Sequence, residues 1–278
     1  EGFTTAAHWE RFPNIPALTR LVSAYLRFAP TYVGGYLVPL LGIFGRVNEL
    51  RTFERHAFRL VLDIMLNLDR SLWQNEVPRI FDLMLTRLKD GTAVQYQNHF
   101  IIFAANVCFS QALGPEFLVE AVNSVQANVF PIVLNDVIVR HMGRSPDFRT
   151  VVVGLSCLLT SAPMIQSYSD KWVPLLQGIV DLAVGNREVG KDADELTDTI
   201  AMLSQKGGAS DFVKLSSSGS SETYIVPRDI VPQNFLAARL AELSAAHPGT
   251  LPDMCAQLPE TSGKSLSEIL TSNAVALA

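Results

Sequence analysis

Val77-Pro-Arg-Ile-Phe-Asp-Leu-Met-Leu-Thr-Arg-Leu-Lys-Asp90, followed by Thr92-Ala-Val-Gln-Tyr-Gln-Asn-His-Phe-Ile-Ile-Phe-Ala-Ala105, decides the fold of this chain. Val77, Ile80, Phe81, Met84, Leu85 and Leu88 recur every three or four residues, which gathers them on one side of an α-helix. Arg79, Asp82 and Arg87 are then expected to point outward. A break at Gly91 follows, and the next apolar run is long enough for a second helix. Upstream, Phe53, Ala57, Leu60, Ile64 and Leu68 share another helical face, with Glu54, Arg55, Arg59, Asp63 and Asn67 expected on its wet side. No strand-like alternation of comparable length occurs, so the chain reads as all-α.

Pro78 belongs to an internal repeat. Four prolines sit inside apolar helix starts: Tyr36-Leu-Val-Pro39-Leu-Leu, Glu76-Val-Pro78-Arg-Ile-Phe, Val129-Phe-Pro131-Ile-Val-Leu and Trp172-Val-Pro174-Leu-Leu. Proline is harmless in the first helical turn, where the missing N–H has no intrahelical partner. The intervals of 39, 53 and 43 residues bracket the roughly 40–47 residues of a HEAT or armadillo unit. One helix pair cannot bury its own apolar face, so such pairs stack into a continuous core. The stretch ending at Asp90 looks like a HEAT first helix with its terminal Asp turn, and Thr92–Ala105 like the second helix. The expected fold is therefore an all-α, right-handed HEAT-repeat α-solenoid of antiparallel helix pairs. Residues 1–184 would supply four to five pairs, 185–231 a loop insertion, and 232–278 the capping helices.

Local punctuation agrees with helix pairs. Gly91, Gly143 and Gly185 stand where left-handed C-terminal caps are expected. Pro115 and Pro146 fit first helical turns, and Ser145 fits an N-cap. After Val184 the chain turns acidic (Glu188, Asp192, Asp194, Glu195, Asp198), then Lys/Gly/Ser-rich over Gln205–Ser221. That composition buries too little apolar surface to order itself and reads as a mobile loop. Helical patterning returns at Phe235–Ala245 and at Leu266–Leu277.

Composition removes several classes of function. The 278 residues are 48% hydrophobic and 18% charged, enough for a sizeable core. A net charge of −5 without any Lys/Arg run argues against nucleic-acid binding, which needs a basic stripe against phosphates. Cys108, Cys157 and Cys255 are too dispersed for a disulfide framework or a zinc site and fit a reducing compartment. The longest uncharged runs, Phe28–Gly45 and Thr150–Ser169, are interrupted by prolines and polar residues, unlike the roughly 20 apolar residues of a spanning helix. Glu1 is not Met and no signal peptide follows it, so the chain is expected to be a fragment or a processed form.

No catalytic constellation or cofactor box emerges. Thr261-Ser-Gly-Lys-Ser265 ends like a phosphate loop but has Leu258 where the first glycine is required. Gly154-Leu-Ser156-Cys-Leu lacks the second glycine of a nucleophile elbow. His8, His56, His99, His141 and His247 are scattered without metal-ligand spacing. Trp9, Trp73 and Trp172, placed at helix starts, are expected to wedge neighbouring repeats.

More specific wording runs through the chain. His8-Trp-Glu-Arg-Phe-Pro-Asn-Ile-Pro-Ala-Leu-Thr-Arg-Leu-Val-Ser-Ala-Tyr-Leu26 resembles a stretch of the CAS exportin family, the re-exporters of importin-α. Gly154-Leu-Ser-Cys-Leu-Leu-Thr160 with Pro163-Met164, then Lys171-Trp-Val-Pro-Leu-Leu-Gln177, resemble the same family's late repeats. Leu236-Ala-Ala-Arg-Leu-Ala-Glu-Leu-Ser244 and Pro248-Gly-Thr-Leu-Pro-Asp-Met254 resemble its final helices. The resemblance keeps the family's order and covers most of the chain, but only the family's C-terminal portion.

It implies a shuttling, non-enzymatic scaffold that carries importin-α out of the nucleus with Ran-GTP. No cofactor, nucleic acid or membrane insertion is implied, and contact with nuclear pore proteins is admitted. By the same resemblance the concave row of second helices is the place to look for partner contacts, at Arg55, Arg59, Gln95, Asn98, Asp147 and Arg149. The acidic stretch, with Glu188, Asp192, Asp194 and Glu195, is a second candidate for a partner carrying basic sequence. The alternatives are a HEAT scaffold of another pathway, and a helical enzyme domain with a deep pocket between repeats.

Overall fold

The computed structural model describes residues 2–89, 94–185 and 225–277, and these contain helices, turns and loops without a strand. Most of the expected 185–231 insertion lies outside the described residues. The described residues up to Phe103 make one compact unit, and those from Ala104 onward another.

In the first unit, helix α1 (Ile15–Phe28) buries Ile15, Thr19, Val22 and Leu26, a spacing of three and four that places them on one face. Helices α2 (Leu37–Asn48) and α3 (Glu54–Asn67) follow, and α1 and α2 both pack on α3. Helix α4 (Val77–Lys89) packs on α2, and α5 (Val94–Phe109) begins in this unit. The repeat is visible in the backbone. Pro30–Val33 is a single helical turn, Gly34–Tyr36 tightens to a 3-10 turn, and α2 starts at Leu37. Forty residues later Arg70–Trp73, Gln74–Glu76 and α4 repeat the same sequence of elements. Pro39 and Pro78 cannot donate to the carbonyls of Gly35 and Gln74, so the chain tightens just before each long helix.

The apolar positions behave as their periodicity predicts: Phe53, Ala57, Leu60, Ile64, Leu68, Val77, Ile80, Phe81, Met84 and Leu85 are buried, with Leu88 half-buried. The polar side is corrected in three places. Glu54 and Asp63, expected in water, are only 2% and 4% exposed. Arg87 turns inward, its guanidinium bonded to Glu54 and to the carbonyl of Asn48. It also lies 4.8 Å over the ring of Tyr96. The Tyr96 hydroxyl donates to Asn48 Oδ1 at 2.7 Å. One polar cluster thereby joins α2, α3, α4 and α5. Burial dominates at Glu54 and raises its carboxyl, outweighing the lowering by Arg87 and Arg51. A buried charge is tolerated only when paired in this way.

The second unit contains α6 (Gly114–Val125) and α7 (Phe130–Val133), which widens into a π-helix over Leu134–Val139. Then come α8 (Phe148–Leu159), α9 (Ser169–Gly185), α10 (Pro232–Ala246), α11 (Thr250–Cys255) and α12 (Glu260–Ser272). Helix α8 is the centre, packed by α9 and α10 and buried from Thr150 to Ser156. It approaches α5 so closely that a Cβ on Gly154 would lie 2.1 Å from the Ala105 carbonyl oxygen. Trp172 is buried and donates its indole N–H to the Leu159 carbonyl at 3.0 Å.

Several punctuation marks differ from expectation. The N-cap of α8 is Asp147, whose carboxylate accepts from Thr150 N at 3.0 Å, not Ser145. Gly143 lies in a 3-10 turn and neither it nor Gly185 takes positive φ; Gly114 and Gly249 do. Gly91 lies outside the described residues. Pro174 sits inside α9, which begins a turn earlier than the proline suggested. The closing helix spans Glu260–Ser272 rather than reaching Leu277, and α11 precedes it within the Pro248–Met254 stretch that the resemblance assigned to the final helices. Trp9 and Trp73 end four-residue helices instead of starting longer ones.

The phosphate-loop lookalike is helical. Gly263 stands within α12, the Ser262 hydroxyl donates to Asp181 at 2.7 Å, and Lys264 pairs with Glu260 at 2.6 Å. No loop of free backbone N–H groups exists there to cradle phosphate.

Candidate protein-binding surface

Three helices of the first unit stand side by side. The Ser23 hydroxyl of α1 donates to the Asp63 carboxylate of α3. On the other side of α3, Phe58 packs on Tyr96 and Phe103 of α5, with ring centroids 5.1 and 5.6 Å apart. Each of α3 and α5 is the second helix of a pair whose first member is α2 or α4. Along this row lie Arg20 of α1, Arg55, His56 and Arg59 of α3, and Gln95, Asn98 and His99 of α5.

Four of the six expected contact residues that the structure describes, Arg55, Arg59, Gln95 and Asn98, thus fall on two adjacent helices. Gln95 and Arg20 are exposed, and Arg55, His56, Arg59, Asn98 and His99 are half-buried. Arg59 donates through Nε to Asp63 at 2.7 Å. Arg55 donates through Nε toward His56 Nε2 at 3.4 Å. Burial, then the charges of Arg55 and Arg20 and the neighbouring His99, hold the His56 imidazole well below its ordinary range. Burial and Arg55 bring His99 down to about 4. Both rings are therefore neutral at pH 7.

Arg20, His56 and His99 were not legible as site residues. Histidines scattered in sequence give no ligand spacing, and only the pairing of α3 with α5 brings residues 56 and 99 together. Asp147 and Arg149 lie in the second unit with local roles: the first caps α8, and the second donates to the Ile230 carbonyl at 3.3 Å. Glu188, Asp192, Asp194 and Glu195 lie outside the described residues.

A second surface feature belongs to α1 and the turn after it. Leu21, Tyr25 and Phe28 form an apolar stripe on the side away from the core face, and Phe28 and Tyr32 are each 82% exposed. The thiols offer no nucleophile. Burial raises Cys108 far above its normal range and puts Cys157 and Cys255 at about 11, so all three are protonated at neutral pH. Among the described residues no group of His, Cys, Asp and Glu could hold a metal ion, and no single helix is long and apolar enough to cross a membrane.

The family model described as "CAS/CSE protein, C-terminus" matches residues 3–269. Exportin-2 of Xenopus laevis is 27% identical over 259 residues, covering 88% of this chain and 26% of that protein. Exportin-2 of Homo sapiens is 28% identical over 259 residues with the same coverage, and that of Drosophila melanogaster 28% over 183 residues, covering 63% and 19%. The chain thus spans about a quarter of the length of the vertebrate relatives. Among solved structures, the exportin Cse1 in its cargo-free, cytoplasmic state superposes with a TM-score of 0.81 at 21% identity, over 98% of this chain and 28% of that one. The fold is accordingly of the expected all-α HEAT-repeat solenoid class. With the match running over nearly its whole length, the chain belongs to the CAS/CSE protein family, as its C-terminal region.

Proposed function

We propose that the chain is the C-terminal part of a nuclear export receptor, a non-catalytic protein-binding scaffold that helps carry importin-α out of the nucleus with Ran-GTP. The observation that carries this reading is the family match over residues 3–269, supported by relatives named Exportin-2. On this reading the full-length protein shuttles between nucleus and cytoplasm. Arg55, Arg59, Gln95 and Asn98 are its first contact candidates, because a row of second helices offers many modest polar contacts with a few anchoring side chains. The acidic residues Glu188, Asp192, Asp194 and Glu195 are the candidate for a partner carrying basic sequence, attracted electrostatically.

The test is reconstitution of the full-length protein with importin-α and Ran. A ternary complex that forms with Ran-GTP and not with Ran-GDP is expected. Absence of that complex at low salt, where electrostatic association is strongest, would overturn the reading.

A further inference from the structure

The geometry points to an oxidisable dithiol: Cys108 of α5 and Cys157 of α8 join as a disulfide when a peroxide oxidises them, clamping the two helices together. The inference is independent of the transport reading and gives the chain a modification site of its own.

It starts from a backbone contact. A Cβ on Gly154 would lie 2.6 Å from the Ala105 Cα. With a C–C bond of about 1.5 Å, the two Cα atoms stand within about 4 Å of each other. Cys108 follows Ala105 by three residues, and Cys157 follows Gly154 by the same interval. Each helix therefore carries a thiol almost one turn beyond the contact, about 4.5 Å along its axis. Cys157 acts electrostatically on Cys108, which puts both thiols on the same side of that contact. A disulfide joins Cα atoms about 4.4–6.8 Å apart, and a crossing this close is what brings two helices into that range. At Cys255, by contrast, burial alone raises the thiol and no second thiol acts on it.

The two thiols differ in access. Cys157 is half-buried, whereas Cys108 is 3% exposed. Burial, opposed by Arg239 and helped by Glu242 of α10, sets Cys157 at about 11. Burial, then Cys157 and Glu116 of α6, raise Cys108. Both are protonated at neutral pH, so oxidation begins slowly, through the small thiolate fraction of Cys157. That thiolate attacks one oxygen of hydrogen peroxide; the O–O bond breaks, leaving a Cys157 sulfenic acid and a hydroxide that takes the released proton to become water. The Cys108 thiol then attacks the sulfenic sulfur. An S–S bond forms, the S–O bond breaks, and the departing hydroxide takes the Cys108 proton as a second water. The thiols together lose two electrons, and the peroxide gains them. Proximity makes this second step fast beside the first. Neighbouring repeats of a solenoid differ by small rotations, so a bond between α5 and α8 stiffens the array there and narrows the unfolded ensemble.

The experiment treats the folded full-length protein with hydrogen peroxide, blocks the remaining thiols with N-ethylmaleimide and maps unreduced peptides by mass spectrometry. A cross-linked peptide pair joining Cys108 to Cys157 is expected, reversed by dithiothreitol, with Cys255 still open to the maleimide. The link should form about ten-fold faster at pH 8.5 than at pH 7.5, as the thiolate fraction rises. The oxidised form should melt several degrees above the reduced one. In Cys108→Ala the Cys157 sulfenic acid has no resolving thiol and should be captured by dimedone. Mapping of the parent protein needs no substitution and decides the matter even if that variant fails to fold.

Absence of the link in the folded protein, a link that forms only in urea, or equal linkage of either thiol to Cys255 would overturn the inference.

Discussion

Arg87 shows how a single side chain can reverse a reading of helix faces. Its position after the apolar run Val77–Leu85 assigns it to water, yet it crosses to Glu54, Asn48 and Tyr96. Replacing it with Met would leave the Glu54 carboxylate buried without its cation, at a cost of about 3–5 kcal/mol. Urea denaturation at pH 7 should show that loss as a lowered midpoint. Glu54→Gln with Arg87→Met should recover part of it, because neither charge then remains.

His99 carries a different prediction. Its folded value of about 4 lies below the ordinary 6.5, so below pH 6.5 the unfolded chain binds a proton that the folded one refuses. Stability should therefore fall as pH drops from 6.5 toward 4, by up to about 3 kcal/mol from this group. In His99→Gln that acid limb should be shallower in thermal melts taken across the same range. Periodicity identified the apolar neighbours of both residues correctly. It could not place Arg87 or His99, because spacing along one helix says nothing about which charge waits on the next.

At the scale of elements, α8 depends on two small details. A side chain at Gly154 meets the Ala105 carbonyl at 2.1 Å, and that backbone oxygen cannot rotate aside. Gly154→Ala should force α8 off α5 and cost about 1–3 kcal/mol or more, read as a drop of several degrees in Tm by calorimetry. Asp147 caps the same helix. Asp147→Ala should cost about 1 kcal/mol, whereas Asp147→Ser keeps an oxygen for Thr150 N and should cost little. If Asp147 also touches a partner through its charge, both variants should weaken the ternary complex, and only the alanine variant should melt early.

Helix existence was plain from apolar spacing in α1, α3, α4 and α10. Helix starts were less plain. Ser145-Pro146 looks like a cap and first turn, but Asp147 one residue later reaches the N–H that needs an acceptor. Pro174 was read as a start, whereas α9 has enough packing around Trp172 and Leu175 to absorb a missing hydrogen bond.

For the molecule as a whole, the helical class and the family were legible because both are written in repeats and in runs of characteristic residues. The candidate surface was half legible. Arg55, Arg59, Gln95 and Asn98 were named from the family resemblance, which points to the row of second helices. Arg20, His56 and His99 need the side-by-side placement of α1, α3 and α5, which no one-dimensional pattern contains.

The forty-residue recurrence from Pro30–Asn48 to Arg70–Lys89 has a genetic corollary. A tandem copy of residues 30–69, spliced in frame after Asp69, brings its own tightened turn and its own interlocking pair. Such a lengthened protein should keep its per-residue ellipticity and still melt cooperatively, whereas a twenty-residue insertion at the same junction would put wrong surfaces together and should not. Evolution can thus lengthen a chain of this kind only in whole modules, as a wall grows by courses of brick.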